Sequence, residues 1–123
     1  MNRGDIWLIN LGGRIGTRPV VVLTRQNVLD YLDKVTVSEI TTRGKGYPTE
    51  VFVGQKANLP KPSFVQADNI HTVPKNRLEK FIGTLDKDSM LEISRKVVLA
   101  LELESCLYHN DHNRLSNSIS HME

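Results

Sequence analysis

Arg18 stands directly before Pro19-Val20-Val21-Val22-Leu23, and Thr41, Thr42 and Arg43 directly follow Val35–Ile40. Both apolar runs read as strands. A guanidinium therefore sits at the start of one strand, and two hydroxyls and a second cation sit at the end of another. This combination suits a phosphate. A guanidinium presents a planar fork of donors and keeps its charge at any working pH. A hydroxyl held at a strand end can donate to a phosphoryl oxygen and orient the reacting group. At a phosphodiester, Arg18 would stabilise charge developing in the transition state. Its permanent charge makes it a poor base; protonation of the leaving group is a secondary role. Without a function, Arg18 is a strand-start arginine paired with a carboxylate, and Thr41 and Thr42 are ordinary β-residues capping a turn.

Other side chains extend the pattern. Glu39 lies two residues before Thr41 and shares its face in an extended strand, whereas Thr42 points the opposite way. Glu39 could act as a base or pair with an arginine, and a surface pair is the commoner use. Arg43, Lys45, Lys56 and Lys61 form a loop-borne basic group able to track a polyanion backbone, although each lysine alone reads as solvated surface. Gln66, Asn69 and His71 offer groups that can read unstacked base edges. Asp68 could orient loops through local backbone hydrogen bonds. Trp7 could stack on a base, but a tryptophan in a first strand is more often core. His109, His112 and His121 lie in a polar stretch and read as solvated, not as metal ligands. No metal or cofactor is expected.

Most of the chain must be short strands to position these groups. The expected strands are Ile6–Asn10, Val20–Leu23, Val35–Ile40, Glu50–Val53, Phe64–Gln66, Ile70–Val73 and Phe81–Thr84. Val20–Leu23 is apolar throughout, as in a strand buried on both faces. Asn27–Asp33 reads as a short helical turn, and Arg43–Pro48 as a mobile basic loop. Many short strands at close spacing predict a small barrel or curled sheet. The period then changes. Asp88 or Ser89 can cap a helix running to about Ser105, with Met90, Ile93, Val97, Ala100 and Leu101 as its apolar stripe. Residues 1–105 thus form one domain, mainly β with a C-terminal helix. Residues 106–123 read as a flexible polar tail.

Composition narrows the classes. The 123 residues suffice for one modest core. Residues 1–101 carry 15 Lys or Arg against 10 Asp or Glu, whereas residues 102–123 carry 1 against 4. A mildly basic body fits a polyanion or acidic-peptide partner. The single Cys106 excludes an intrachain disulfide and a cysteine zinc cluster. No run reaches membrane-spanning length, and Met1–Asp5 leads into a strand without a signal-peptide core. The expected compartment is the cytoplasm, with no membrane partner.

Five segments, in order, resemble the MazF/PemK family of toxins. They are Arg3-Gly4-Asp5-Ile6-Trp7, Arg18-Pro19-Val20-Val21-Val22-Leu23, Ile40-Thr41-Thr42-Arg43-Gly44, Pro48-Thr49-Glu50-Val51 and Gln66-Ala67-Asp68-Asn69-Ile70-His71-Thr72-Val73. The resemblance runs from Arg3 to about Leu101. It implies a Src-homology-3-like barrel with a C-terminal helix, usually homodimeric. It implies a sequence-specific, metal-independent endoribonuclease that cuts single-stranded RNA, leaving a 2′,3′-cyclic phosphate and a 5′-hydroxyl. Arg18 and Thr41 would be catalytic, with Thr42, Arg43, Lys45, Gln66, Asn69 and His71 contacting RNA. A cognate acidic antitoxin would neutralise the protein. The alternative is a non-catalytic, protein-gripping toxin of the same architecture, as in the CcdB-type gyrase poisons. Relatives commonly have a longer connection before the Arg-Pro pair; here Leu11–Thr17 alone separates the first strand from Arg18.

Overall fold

Six antiparallel strands form one sheet: β1 (Asp5–Asn10), β2 (Thr17–Val22), β3 (Lys34–Thr41), β4 (Glu50–Gly54), β5 (Ser63–Pro74) and β6 (Leu78–Thr84). Their spatial order is β4–β5–β3–β2–β1–β6. The helix α1 (Lys87–Ala100) follows. This computed structural model describes residues 1–105. The expected tail, with His109, His112 and His121, lies outside the described residues.

The sheet is buried on both faces, which explains the unbroken valine run in β2. Val21 faces a cluster with Ile6, Ile40, Val51, Val53, Val65 and Leu85, covered by Ile93 of α1. Val20 and Val22 face the opposite way, toward Ile9, Leu29, Val35, Val37, Val73 and Leu78. Burying each such side chain contributes about 1.5–3 kcal/mol before entropy is counted. The sheet curls, in keeping with the expected barrel. Its terminal strands β4 and β6 are bridged by a 3₁₀ turn at Lys56–Asn58 instead of by strand pairing. Asn58 Nδ2 donates to Ile82 O at 3.0 Å. Gly83 permits the approach: a Cβ there would lie 2.4 Å from Ala57 O.

The Arg3-Gly4-Asp5 segment joins the sheet to the helix. The Arg3 guanidinium donates to Leu23 O and, at 2.7 Å, to Ser94 Oγ of α1. Buried Asp5 accepts from Asn2 N at 2.7 Å and from Thr84 Oγ1 at 2.8 Å. Both charged side chains here find neutral partners within the chain.

Several boundaries differ from expectation. Phe64–Gln66 and Ile70–Val73 belong to the single strand β5. Its pairing with β3 jumps from Ile40↔Val65 to Ser38↔Ile70, so residues 66–69 bulge out where a break was expected. Helix α1 is capped by Asp86, not by Asp88 or Ser89. Asp86 accepts from Ser89 Oγ at 2.6 Å and Ser89 N at 3.2 Å, and these bonds hold its carboxyl down at about 2. α1 ends at Ala100, where Glu102 takes a left-handed φ of 56°; residues 103–105, inside the expected helix to Ser105, are helical again beyond this break. Leu101 is consequently 55% exposed and leaves the apolar stripe. The expected helical turn at Asn27–Asp33 is a 3₁₀ turn at Gln26–Val28.

Candidate active site

β2 and β3 deliver the two leading residues to one place. Val20 lies opposite Glu39, Val21 opposite Ser38 and Val22 opposite Val37. Extending that register by two residues sets Arg18 across from Thr41, on the face shared by directly opposed residues. Thr41 is the last residue of β3 and pairs with Phe64 of β5. Its Oγ1 accepts from Arg43 N at 3.1 Å, which starts the turn into the basic loop. Thr42 has already left the strand.

These residues border an open cleft of about 760 Å³, lined by Ile15, Arg18, Glu39, Thr41, Thr42, Arg43, Lys45, Gln66 and Asn69. The β5 bulge brings in the last two. Asn69 Nδ2 donates to Gln66 Oε1 at 3.0 Å, and Ser38 Oγ donates to Gln66 O at 2.5 Å, which pins the bulge to β3. Three cations and two hydroxyls thus face one carboxylate, that of Glu39.

Arg18 has no carboxylate within 4.0 Å among the described residues, and its Nε is buried without a hydrogen-bond partner. The paired-arginine reading therefore does not hold. Trp7 Nε1 is likewise buried without a partner, so the feature that sets Arg18 apart is its place in the cleft without a carboxylate. Glu39 pairs with a histidine, not an arginine: His71 Nε2 lies 2.6 Å from Glu39 Oε2. That contact is cross-strand and joins residues 32 apart. His71 does not line the cleft and reaches it only through Glu39.

A family model described as PemK-like, MazF-like toxin of type II toxin–antitoxin system matches residues 2–101. The chain belongs to this family. It is 46% identical over 68 residues to endoribonuclease MazF3 of Mycobacterium tuberculosis, a match covering 55% of this chain and 66% of that protein, just under two thirds of its length. It is 31% identical over 117 residues to endoribonuclease MazF of Staphylococcus saprophyticus, covering 89% of this chain and 98% of that one. Among solved structures, it resembles a mycobacterial endoribonuclease in complex with its cognate antitoxin, with a TM-score of 0.75 and 27% identity, over 84% of this chain and 96% of that one.

Within this MazF-like fold, the basic loop is tethered at its backbone by Glu50. The Glu50 carboxylate accepts from the backbone N–H groups of Lys45 (3.0 and 3.1 Å), Gly46 (2.8 Å) and Tyr47 (3.2 Å). The sequence signal for this positioning role is a glutamate two residues after the Tyr47-Pro48 pair that ends the loop. The expected four-cation group divides. Arg43 and Lys45 line the cleft, whereas Lys56 lies 3.4 Å from Asp86 at the start of α1, and Lys61 does not line the cleft. Asp68 accepts from the Thr49 hydroxyl, not from backbone. Trp7 is half-buried, its ring edge-on to Phe81 with centroids 5.6 Å apart. Among the described residues, no group of three His, Cys, Asp or Glu could hold a metal ion, and no helix is long and apolar enough to cross a membrane.

Proposed function

We propose that this MazF-family chain is a sequence-specific, metal-independent endoribonuclease that cuts single-stranded RNA in the cytoplasm. The observation that carries the reading is a cation-rich cleft lined by both Arg18 and Thr41, in which Arg18 has no carboxylate partner among the described residues. A guanidinium left free in this way suits a phosphoryl oxygen. The ribose 2′-oxygen attacks the adjacent phosphorus. A 2′-O–P bond forms, the P–5′-O bond breaks and the leaving 5′-oxygen takes a proton from water, giving a 2′,3′-cyclic phosphate and a 5′-hydroxyl. Arg18 stabilises charge on the phosphoryl oxygens, and Thr41 orients and donates to them. Glu39 is the one carboxylate lining the cleft, and it is the candidate acceptor of the 2′-hydroxyl proton. Thr42, Arg43 and Lys45 meet the backbone, and Gln66 and Asn69 meet bases. His71 steadies Glu39 and does not contact RNA directly. A homodimer shapes the groove, and a cognate acidic antitoxin covers it, drawn by the same cations.

End-mapping of RNA treated with the protein in EDTA gives the cut sites. Replacing the ribose 5′ of the cut by deoxyribose should stop cleavage while binding persists. Cleavage of the substituted RNA would exclude internal attack. Activity that dies in EDTA and returns with magnesium would point to a metallonuclease. Intact RNA under all conditions would favour the non-catalytic, protein-gripping alternative.

A further inference from the structure

Near the cleft the sheet carries an aromatic pair, Phe64 half-buried and Phe52 exposed. Phe64 lies directly opposite Thr41 across β3 and β5, and Phe52 lies directly opposite Phe64 across β5 and β4. Directly opposed residues share a face. Thr41, Phe64 and Phe52 therefore form a row, with Phe52 about 10 Å from Thr41, two strand spacings away. The Phe52 and Phe64 rings are tilted by 56° with centroids 5.0 Å apart. Phe52 is 62% exposed, a large apolar ring on the surface of a charged neighbourhood. The basic loop meets this row at Phe64. A Cβ on Gly44 would lie 2.8 Å from Phe64 Cε1, so glycine lets the backbone between Arg43 and Lys45 rest on that ring without displacing it. The cation-bearing loop and the aromatic row are thus in contact.

We infer that Phe52, braced by Phe64, is a stacking platform for an unpaired nucleobase one or two nucleotides from the phosphate held at Arg18 and Thr41. This deepens the RNA-cleaving reading and rests on it. An aromatic face beside a positive groove is the arrangement that holds single-stranded nucleic acid. Stacking tolerates any base, so the platform fixes where the strand lies, while Gln66 and Asn69 select its sequence. The ring is borne on a strand and needs no ordering when RNA arrives. The spacing matches a strand that spans the cleft and turns one base onto β4.

The test uses full-length protein and an RNA oligonucleotide spanning a mapped cut, made uncleavable by one deoxyribose 5′ of that cut. A single 2-aminopurine is moved along the positions flanking the cut, and its fluorescence and the dissociation constant are measured for wild type, Phe52→Ala and Phe52→Tyr. The expected result is quenching at one position, lost in Phe52→Ala and kept in Phe52→Tyr. Affinity should fall about 5- to 100-fold for the alanine variant and stay within a few-fold for tyrosine. An abasic residue at that position should weaken wild type but not Phe52→Ala. If RNA is cut and bound but no position shows Phe52-dependent quenching, the platform is overturned while the nuclease reading stands. A change of mass for Phe52→Ala in light scattering would assign the ring to subunit pairing and also overturn it. If no cut can be mapped, both fall.

Discussion

Two arginines, each near the start of an early strand, are put to opposite uses. Arg3 precedes β1 and spends its guanidinium inside the protein, on Leu23 O and Ser94 Oγ, tying sheet to helix. Arg18 lies within β2 and keeps a buried Nε unpaired beside an open cleft. Their surroundings differ in the same way. Around Arg3, Asp5 is satisfied by Asn2 and Thr84, and Asp86 caps α1. Around Arg18, hydroxyls and cations face solvent, and local bonds hold their backbones while leaving the ends of Arg43 and Lys45 free to meet a ligand. A polar group whose partners are all internal serves the fold. One that lines a cleft without an internal ion-pair partner is available to a ligand.

The sharpest way to break this contrast is to remove each arginine. Arg18→Ala and Arg18→Lys should both lower the RNA cleavage rate on the order of 10²-fold or more while leaving the melting temperature near wild type. Lysine keeps the charge but loses the fork. Arg3→Ala should do the reverse, costing about 1–3 kcal/mol in denaturant unfolding with residual activity in the folded fraction. A reversed pattern would show that the two roles are misassigned.

The register of β2 against β3 is tested by the adjacent threonines. Thr41→Val should reduce the cleavage rate on the order of 10²-fold, and Thr42→Val by less than about tenfold. The opposite order in single-turnover kinetics would place the reacting phosphate one residue further along.

Glu50→Ala releases three backbone N–H groups of the basic loop. Its expected effect is a several-fold rise in KM at unchanged kcat, with little loss of helix or sheet signal in circular dichroism. A fall in kcat alone would mean that Glu50 acts on the chemistry and not through Arg43 and Lys45.

The smallest effect belongs to the helix cap. The Asp86 carboxyl titrates at about 2 in the folded protein, below its unfolded value. Its stabilising contribution is therefore complete above about pH 4 and fades as pH falls through about 2. Asp86→Asn should flatten the acid limb of the melting-temperature profile there and leave RNA cleavage at neutral pH unchanged. An unaltered acid limb would remove Asp86 from the cap.

Much of this was legible in the chain. Val20-Val21-Val22 declared a strand buried on both faces because no polar residue interrupts it, and all three are fully buried. The strand ends at Arg18 and Thr41 followed from the same runs. The β5 break was misread because Ala67-Asp68-Asn69 has the composition of a turn. A bulge and a turn both accommodate such residues, and only the partner strand decides between them. The cap of α1 lies two or three residues before the expected one because Asp86, Asp88 and Ser89 are all competent caps.

What the sequence determined by itself was the inventory: two-faced strands, one amphipathic helix, a guanidinium at one strand start and hydroxyls at another strand end. These follow from period, propensity and turn chemistry, which act over a few neighbouring residues. The tertiary structure decided which groups meet. The Glu39–His71 pair joins residues 32 apart, and the Thr41–Phe64–Phe52 row crosses three strands. Such meetings depend on strand order and register, and these are set by how two apolar faces are buried at once, a condition on the whole sheet and not on any segment of it.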